Sequence, residues 1–267
     1  MHPLETALPT VAPAGARFGI AGTGGIVAAI PARYASTRLP GKPLLPIAGR
    51  PMIEHVYRRV AAARGLERVV VVTDDERIAR TVEGFGGHWE LTPSECASGT
   101  DRIAHAARGW QARAVVNVQG DEPLIDPEAV SQIAEHLAEH PEDEMVTLAA
   151  PAEADEVASP HAVKVVLDLA GRALYFSRAP IPYPRQEEGA RPLKHLGIYG
   201  YQREALLRLA GLAPCPLETR ESLEQLRALE NGIAIRVLVV ARGASGVDTR
   251  EDLERVERIL ERNRPTT

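Results

Sequence analysis

A chain of 267 residues, 45% hydrophobic and 25% charged, has ordinary globular composition and the length for one large α/β domain with or without a smaller lobe. A formal net charge of -5 gives nucleic acid no overall electrostatic attraction, and no apolar run approaches the length of a membrane span. The two cysteines, Cys96 and Cys215, have neither metal-ligand spacing nor a framework of pairs, which fits a reducing, cytoplasmic compartment.

Residues 1–25 carry Pro3, Pro9, Pro13, Gly15 and Gly19 and a single Lys or Arg, Arg17. A secretory signal wants cations first and an unbroken apolar core afterwards. This stretch therefore reads as a flexible extension, or as the product of a start codon set too far upstream. Residues 27–30 read as a first buried strand. Pro51 suits the first position of a helix with Met52, Ile53, Val56 and Val60 along its apolar stripe. The β-branched run 69–72 predicts a second strand, ending at Thr73-Asp74. A helix over about 75–83 stops at Gly84, and another follows Thr100 with Ile103, Ala106, Ala107 and Trp110 at helical spacing. Residues 114–118 form a third strand that runs into Gly120-Asp121-Glu122. Asp126 and Pro127 then look like the N-cap and first turn of a helix with Val130, Ile133 and Leu137 inward.

The strand–helix alternation predicts a mostly parallel sheet with helices on both faces. It ends near residue 150. Segments 163–167 and 172–176 are joined by the hairpin-like Asp168-Leu169-Ala170-Gly171, and 196–201 is a further strand candidate. The proline-rich stretch 180–192 is a surface loop. A helix over 223–230 closes with Asn231-Gly232, 233–240 is a strand, and Thr249 with Asp252 makes a capping box for a last helix carrying Leu253, Val256 and Leu260 inward. The expected organisation is an extension, 1–25, a single domain, 26–262, and a tail, 263–267. Within the domain, core 26–150 and 211–262 encloses a smaller antiparallel insertion over about 151–210.

The loop after the first strand is the most informative segment: Ile30-Pro31-Ala32-Arg33-Tyr34-Ala35-Ser36-Thr37-Arg38-Leu39-Pro40-Gly41-Lys42-Pro43. Arg33, Arg38 and Lys42 sit among small residues at a strand's C-terminal end, the edge where open α/β sheets bind ligands. Cations there suit a dense anion such as a triphosphate, although a solvated basic turn has the same composition. It is not a Walker A loop, which needs glycine where Ser36 stands and Ser or Thr where Pro43 stands. Gly22-Thr23-Gly24-Gly25 precedes its strand and has Val27 in place of the third glycine, so a nicotinamide or flavin fingerprint is absent as well.

This loop resembles the N-terminal signature of the 3-deoxy-manno-octulosonate cytidylyltransferases, the CMP-Kdo synthetases. The resemblance continues through Asn117-Val118-Gln119-Gly120-Asp121-Glu122-Pro123, Leu174-Tyr175-Phe176-Ser177-Arg178, His195-Leu196-Gly197-Ile198-Tyr199-Gly200-Tyr201, Leu223-Glu224-Gln225-Leu226-Arg227 and Gly246-Val247-Asp248-Thr249. The blocks keep the family's order from about Val27 to Leu260. They imply a nucleotide-diphospho-sugar transferase-like, Rossmann-like fold and the reaction CTP + Kdo → CMP-Kdo + pyrophosphate, which activates Kdo for lipopolysaccharide assembly.

By resemblance, Asp121 and Asp248 hold Mg²⁺, and Arg33 and Lys42 join them as the catalytic set around the triphosphate, with Arg38 a further phosphate contact. Hard oxygen ligands, few in number, are what Mg²⁺ prefers. Thr73, Asp74, Ser98, Gly99 and Gln119 are expected around the nucleotide. Gln119, Arg178, His195, Tyr199, Glu224 and Gln225 match the sugar-binding positions, and Arg178 can grip a carboxylate in a bidentate manner. His195 and Tyr199, four apart in a predicted strand, point to one face.

Each residue also has a plain structural reading: Asp121 in a turn, Asp248 at a helix start, Ser98 and Thr100 as caps, His195 packed, Glu224 and Gln225 on a solvated helix face. Phe176, Tyr201 and Cys96 read as packing. The resemblance further implies a homodimer paired through 151–210. One departure stands out: the loop 182–193 is shorter than in the family and its Arg185-Gln186-Glu187-Glu188 is undistinctive. Two other functions stay open, the same chemistry on an 8-amino-Kdo analogue or a sialic acid, and a non-catalytic nucleotide or sugar binder.

Overall fold

The computed structural model describes residues 24–35, 39–186, 191–243, 246–247 and 249–262. The first half alternates as the apolar periods require. β1 (Ile26–Ala32) leads through a short 3-10 turn at Lys42–Leu44 and the small hairpin β2 (Pro46–Ile47) and β3 (Arg50–Pro51) into α1 (Met52–Ala61). Then come β4 (Arg68–Thr73), α2 (Glu76–Gly84), β5 (Trp89–Leu91), α3 (Gly99–Ala107), β6 (Ala114–Asn117) and α4 (Pro127–Glu139). The second half holds β7 (Met145–Pro151), α5 (Ala154–Ala158), β8 (Lys164–Leu167), β9 (Ala173–Ser177), β10 (Leu193–Gln202), α6 (Arg203–Ala210), α7 (Pro216–Glu221), α8 (Gln225–Glu230), β11 (Ile235–Val239) and α9 (Arg250–Arg262). β5, β7, α5, α6 and α7 fall where the sequence reading assigns no element.

The main sheet has the order β11-β7-β10-β6-β1-β4-β5. β1 is parallel to β4 and β6, β4 to β5, and β7 to β11, whereas β10 runs antiparallel to both of its neighbours, β6 and β7. The antiparallel segment expected around 151–210 is thus partly built into the sheet. β10 is a central strand, and β8 and β9 form a hairpin that branches from its start through Leu193 and Lys194.

Alternation along β1 explains the layers. Val27 and Ala29 face one apolar cluster with α3, α6 and Phe176, while Ile26, Ala28 and Ile30 face another with α1, α2 and α4. A strand buried on both faces reads as a continuous apolar run, as β1 and β4 do. α9 closes a third, smaller cluster in which Val256 and Val247 pack on Ile47 and Met52. Its capping box forms as expected: Asp252 N donates to Thr249 Oγ1 (3.1 Å) and Thr249 N to Asp252 Oδ2 (3.0 Å). α1 and α4 cover the same face, but along the strand order the chain leaves β1 toward β4 and β6 toward β7, in opposite directions, which opens a crevice between their C-terminal ends. Such a switch point is where doubly wound sheets bind ligands.

Candidate active site at the β1/β6 crevice

The loop after β1 brings Lys42 back over the crevice. Gly41 makes this possible with φ 69°, and its amide donates to the Tyr34 carbonyl at 3.0 Å. A side chain there would be strained in backbone and would press on the Tyr34 ring, 3.0 Å from a Cβ. The Arg77 guanidinium lies 3.3 Å from the centroid of that ring. Lys42 Nζ then donates to Asp121 Oδ2 at 2.7 Å, with the lysine side chain 12% exposed and the aspartate 39%. Arg33 is exposed at the end of β1. Arg38 lies outside the described residues.

Asp121 is placed by its neighbour. A Cβ on Gly120 would sit 2.8 Å from the Pro31 carbonyl oxygen, so only glycine lets the loop after β6 pass so close to β1. From the other side, Val247 N donates to the Asp121 carbonyl at 2.9 Å, which docks the segment after β11 onto the same loop. Asp248, next in the chain, lies outside the described residues. Burial, with the Asp121 charge beside it, pushes the Glu122 carboxyl up to about 8, so at neutral pH it holds its proton. Among the described residues no group of three or more His, Cys, Asp or Glu side chains can hold a metal ion. One partly exposed carboxylate, Asp121, fits a hard cation that takes its remaining oxygens from phosphate and water.

The loops after β4 and β5 lock together beside this crevice. Thr73 is fully buried; its carbonyl accepts from Thr92 N (2.9 Å) and its hydroxyl oxygen from Asp75 N (3.2 Å). Asp74 is not a free nucleotide contact, because its carboxylate pairs with Arg102 at 3.1 Å. Arg102 is buried and also donates to Thr92 Oγ1 at 2.5 Å. Ser98 caps α3 in a reciprocal box with Asp101, which is its plain structural reading. Its hydroxyl does more, donating to Glu224 Oε1 at 3.1 Å, while Thr100 donates to Oε2 at 2.9 Å. A Cβ on Gly99 would lie 3.1 Å from Pro31 Cγ, so α3 begins hard against the end of β1. Gln119 donates to Asn117 Oδ1 at 3.2 Å.

Glu224 accepts from the start of α3 and its charge is felt by the rings of Tyr199 and Tyr201 on β10. Burial is the largest effect on its carboxyl and raises its pKa against the opposing hydroxyl bonds. His195 and Tyr199 share a face as expected, with ring centroids 5.3 Å apart, and Tyr199 stacks on Tyr201 at 6.0 Å. Burial pushes the His195 imidazole down to about 3 and both phenols well above their usual range, so all three rings are neutral. Tyr201 and Phe176 are buried packing, as read from the sequence, and Gln225 is buried too rather than on a solvated helix face.

Arg178 leaves β9 beside this row and is already engaged. Nε donates to the Glu221 carbonyl (2.8 Å), Nη1 to that of Pro160 (2.9 Å) and Nη2 to that of Ser222 (3.4 Å). These leave two of its five N–H groups for a ligand. Lys164, fully buried, grips the same neighbourhood through the carbonyls of Ser159 (2.7 Å), Ala162 (2.5 Å) and Arg178 (2.7 Å). Sequence reasoning missed Arg102, Lys164 and Thr147, whose hydroxyl contacts His195. A cation inside a helix or strand pattern carries no sign of the carbonyls or carboxylates that bury it.

Residues 27–235 match the family model described as Cytidylyltransferase. A 3-deoxy-manno-octulosonate cytidylyltransferase of Myxococcus xanthus (strain DK1622) is 54% identical over 88% of this chain and 96% of its own length. The Escherichia coli protein of that name is 46% identical over 88% and 95%. Among solved structures, CMP:2-keto-3-deoxy-manno-octonic acid synthetase complexed with CTP superposes with TM-score 0.87 at 45% identity, covering 90% of this chain and 100% of that one. A cytidylyltransferase of Leptospira borgpetersenii, 18% identical with TM-score 0.62 over 90% and 88%, shares the fold.

Proposed function

Because this chain belongs to the cytidylyltransferase family, we propose that it transfers CMP from CTP to 3-deoxy-D-manno-octulosonate and releases pyrophosphate. The observation that carries the reading is the Lys42–Asp121 pair, 2.7 Å apart at the β1/β6 crevice, with the Glu224–Tyr199–His195 row nearby. A cation for phosphate and a carboxylate for metal thus share one mouth, and neutral polar groups suited to sugar hydroxyls lie along β10.

In the reaction the anomeric hydroxyl of Kdo forms a bond to the α-phosphorus, the bond from that phosphorus to the bridging oxygen of pyrophosphate breaks, and the hydroxyl proton leaves to solvent. The protein's part is positioning and charge neutralisation. Lys42, Arg33 and Arg38 face the triphosphate, and Lys42 exchanges Asp121 for phosphate oxygen when CTP arrives. Mg²⁺ held by Asp121 and Asp248 would neutralise phosphate charge and acidify the attacking hydroxyl. The segments carrying Thr73, Asp74, Ser98, Gly99 and Gln119 wall the nucleotide, mostly through backbone and shape, since Asp74 and Ser98 have internal partners. Arg178 offers its two remaining N–H groups to the sugar carboxylate. His195, Tyr199, Glu224, Gln225 and Gln119 surround its hydroxyls.

The product would feed lipopolysaccharide assembly from the cytoplasm. Exposed Leu169, Leu174 and Tyr183, on and after the β8–β9 hairpin, support pairing of two copies through that region. Light scattering at about twice the chain mass is expected, and a fully active monomer would remove the dimer from the proposal.

The decisive experiment is pyrophosphate release with CTP and Mg²⁺ across a panel of ulosonic acids. Kdo should give the highest kcat/KM. A higher value for an 8-amino analogue or a sialic acid would reassign the sugar, and no release with any of them would leave a binding protein.

A further inference from the structure

We propose that Thr147 is a positioning residue for this reaction: its hydroxyl fixes His195 as the Nε2–H tautomer, so that Nδ1 meets the bound sugar as an acceptor for one of its hydroxyls. The inference rests on the reading that this site takes Kdo.

The argument begins with strand register. Along β10 and β7, His195 pairs with Ala149 and Leu196 with Leu148, but the next pair is Tyr199 with Thr147. Gly197 and Ile198 are thus extra residues without a partner on β7. A bulge of two residues keeps His195 and Tyr199 on one face while drawing both toward Thr147. The Thr147 side chain is fully buried at this spot. Its Oγ1 lies 2.8 Å from the Ile198 carbonyl oxygen, 3.2 Å from that of Leu196 and 2.9 Å from His195 Nε2.

A hydroxyl has one proton to donate, and the two carbonyls can only accept. The proton goes to the bulge, where 2.8 Å is the usual length of an O–H···O bond. The remaining contact then needs the imidazole as donor, from Nε2 to Oγ1. Burial holds His195 down to about 3, so the ring is neutral and a proton on Nε2 leaves a lone pair on Nδ1. Among the described residues no hydrogen bond reaches that nitrogen. The edge-on Phe176 ring, 5.1 Å away, and Tyr199 at 5.3 Å hold the imidazole plane. A lone pair so held selects a donor. The sugar's hydroxyls satisfy it, whereas the sugar's carboxylate is repelled and left to Arg178.

The test joins nitrogen-15 NMR of the histidine rings in the full chain at pH 7, with His195 assigned through His195→Gln, to pyrophosphate-release kinetics of Thr147→Val and Thr147→Ser. Wild type should show a protonated Nε2 and a bare Nδ1. Thr147→Val should raise KM for Kdo by about tenfold, the scale of one hydrogen bond, with KM for CTP unchanged, and Thr147→Ser should restore it. A wild-type proton on Nδ1 overturns the inference, and so does a Thr147→Val enzyme with wild-type KM for Kdo. If Thr147→Val does not fold, the wild-type spectrum and the serine variant still decide, because serine must keep both the tautomer and the KM. The spectrum needs no substrate, so failure of Kdo as substrate would be seen separately from failure of the tautomer.

Discussion

Asp74 and Arg102 are joined by an ion pair of 3.1 Å that ties the loop after β4 to the first turn of α3, with the arginine side chain 3% exposed. Breaking a buried pair on one side leaves the other charge without its partner and typically costs 3–5 kcal/mol in such sites. Asp74 keeps some contact with water, so the expected loss for Arg102→Met is about 2–3 kcal/mol by urea unfolding. KM for CTP should rise as the two loops separate. Unchanged stability would show that the pair does not hold the loops.

Asp121→Asn should lower turnover by roughly a hundredfold or more, the scale of losing a preorganised electrostatic contact. Its unfolding temperature should stay near wild type, because the ion pair with Lys42 is partly exposed and such pairs contribute about 1 kcal/mol or less. Near-normal turnover in limiting Mg²⁺ would remove Asp121 from the metal site, and the same assay applies to Asp248→Asn.

Arg178→Ala should weaken Kdo binding much more than CTP binding, since only the sugar presents a carboxylate there. Its bonds to the carbonyls of Glu221, Pro160 and Ser222 add a stability cost. Lys164→Met separates the two effects. It leaves three carbonyls without their ammonium and should cost about 2–4 kcal/mol by chemical denaturation, with a smaller rise in KM for Kdo. Equal loss of CTP and Kdo affinity in Arg178→Ala would assign that residue to structure alone.

Glu122 sets one part of the pH dependence. Its folded pKa, about 8, lies above the ordinary 4.5. The folded state therefore binds the extra proton between those values, and its contribution is fully present below about pH 4.5 and lost as pH rises through 8. Stability should fall over that window by on the order of 2 kcal/mol, allowing for partial contact with solvent. Glu122→Gln should flatten the slope measured by urea unfolding at pH 5.5 and 8.5, and an unchanged slope would assign it to other groups.

The elements legible in the sequence were those whose period is local. β1, β4 and β6 are continuous apolar runs because they are covered on both faces, and α1 and α4 show apolar stripes, α4 behind its Asp126 cap. β7 was not legible, since Met145–Pro151 is a short apolar run that alone fits several conformations. Nor could local pattern show β10 between β6 and β7, because strand order is a tertiary choice. In the site, Lys42, Asp121, His195, Tyr199 and Glu224 come to one sheet edge in the order that the motif blocks suggest. Arg102 and Lys164 drew no reading, because Asp74, Thr92 and Arg178 lie ten or more residues away and the nearer partners of Lys164, at Ser159 and Ala162, are backbone carbonyls that any sequence would supply.

β10 is held on both edges, from Tyr199 to Gln202 against β6 and from Leu193 to Tyr201, across its bulge, against β7. Two ladders and the Thr147 plug thus fix where His195 stands, whatever precedes it. The place of the imidazole is in that sense a property of the sheet interior. A slip of register there is all or nothing, because one residue of slip would turn the whole ring row out of the site at once.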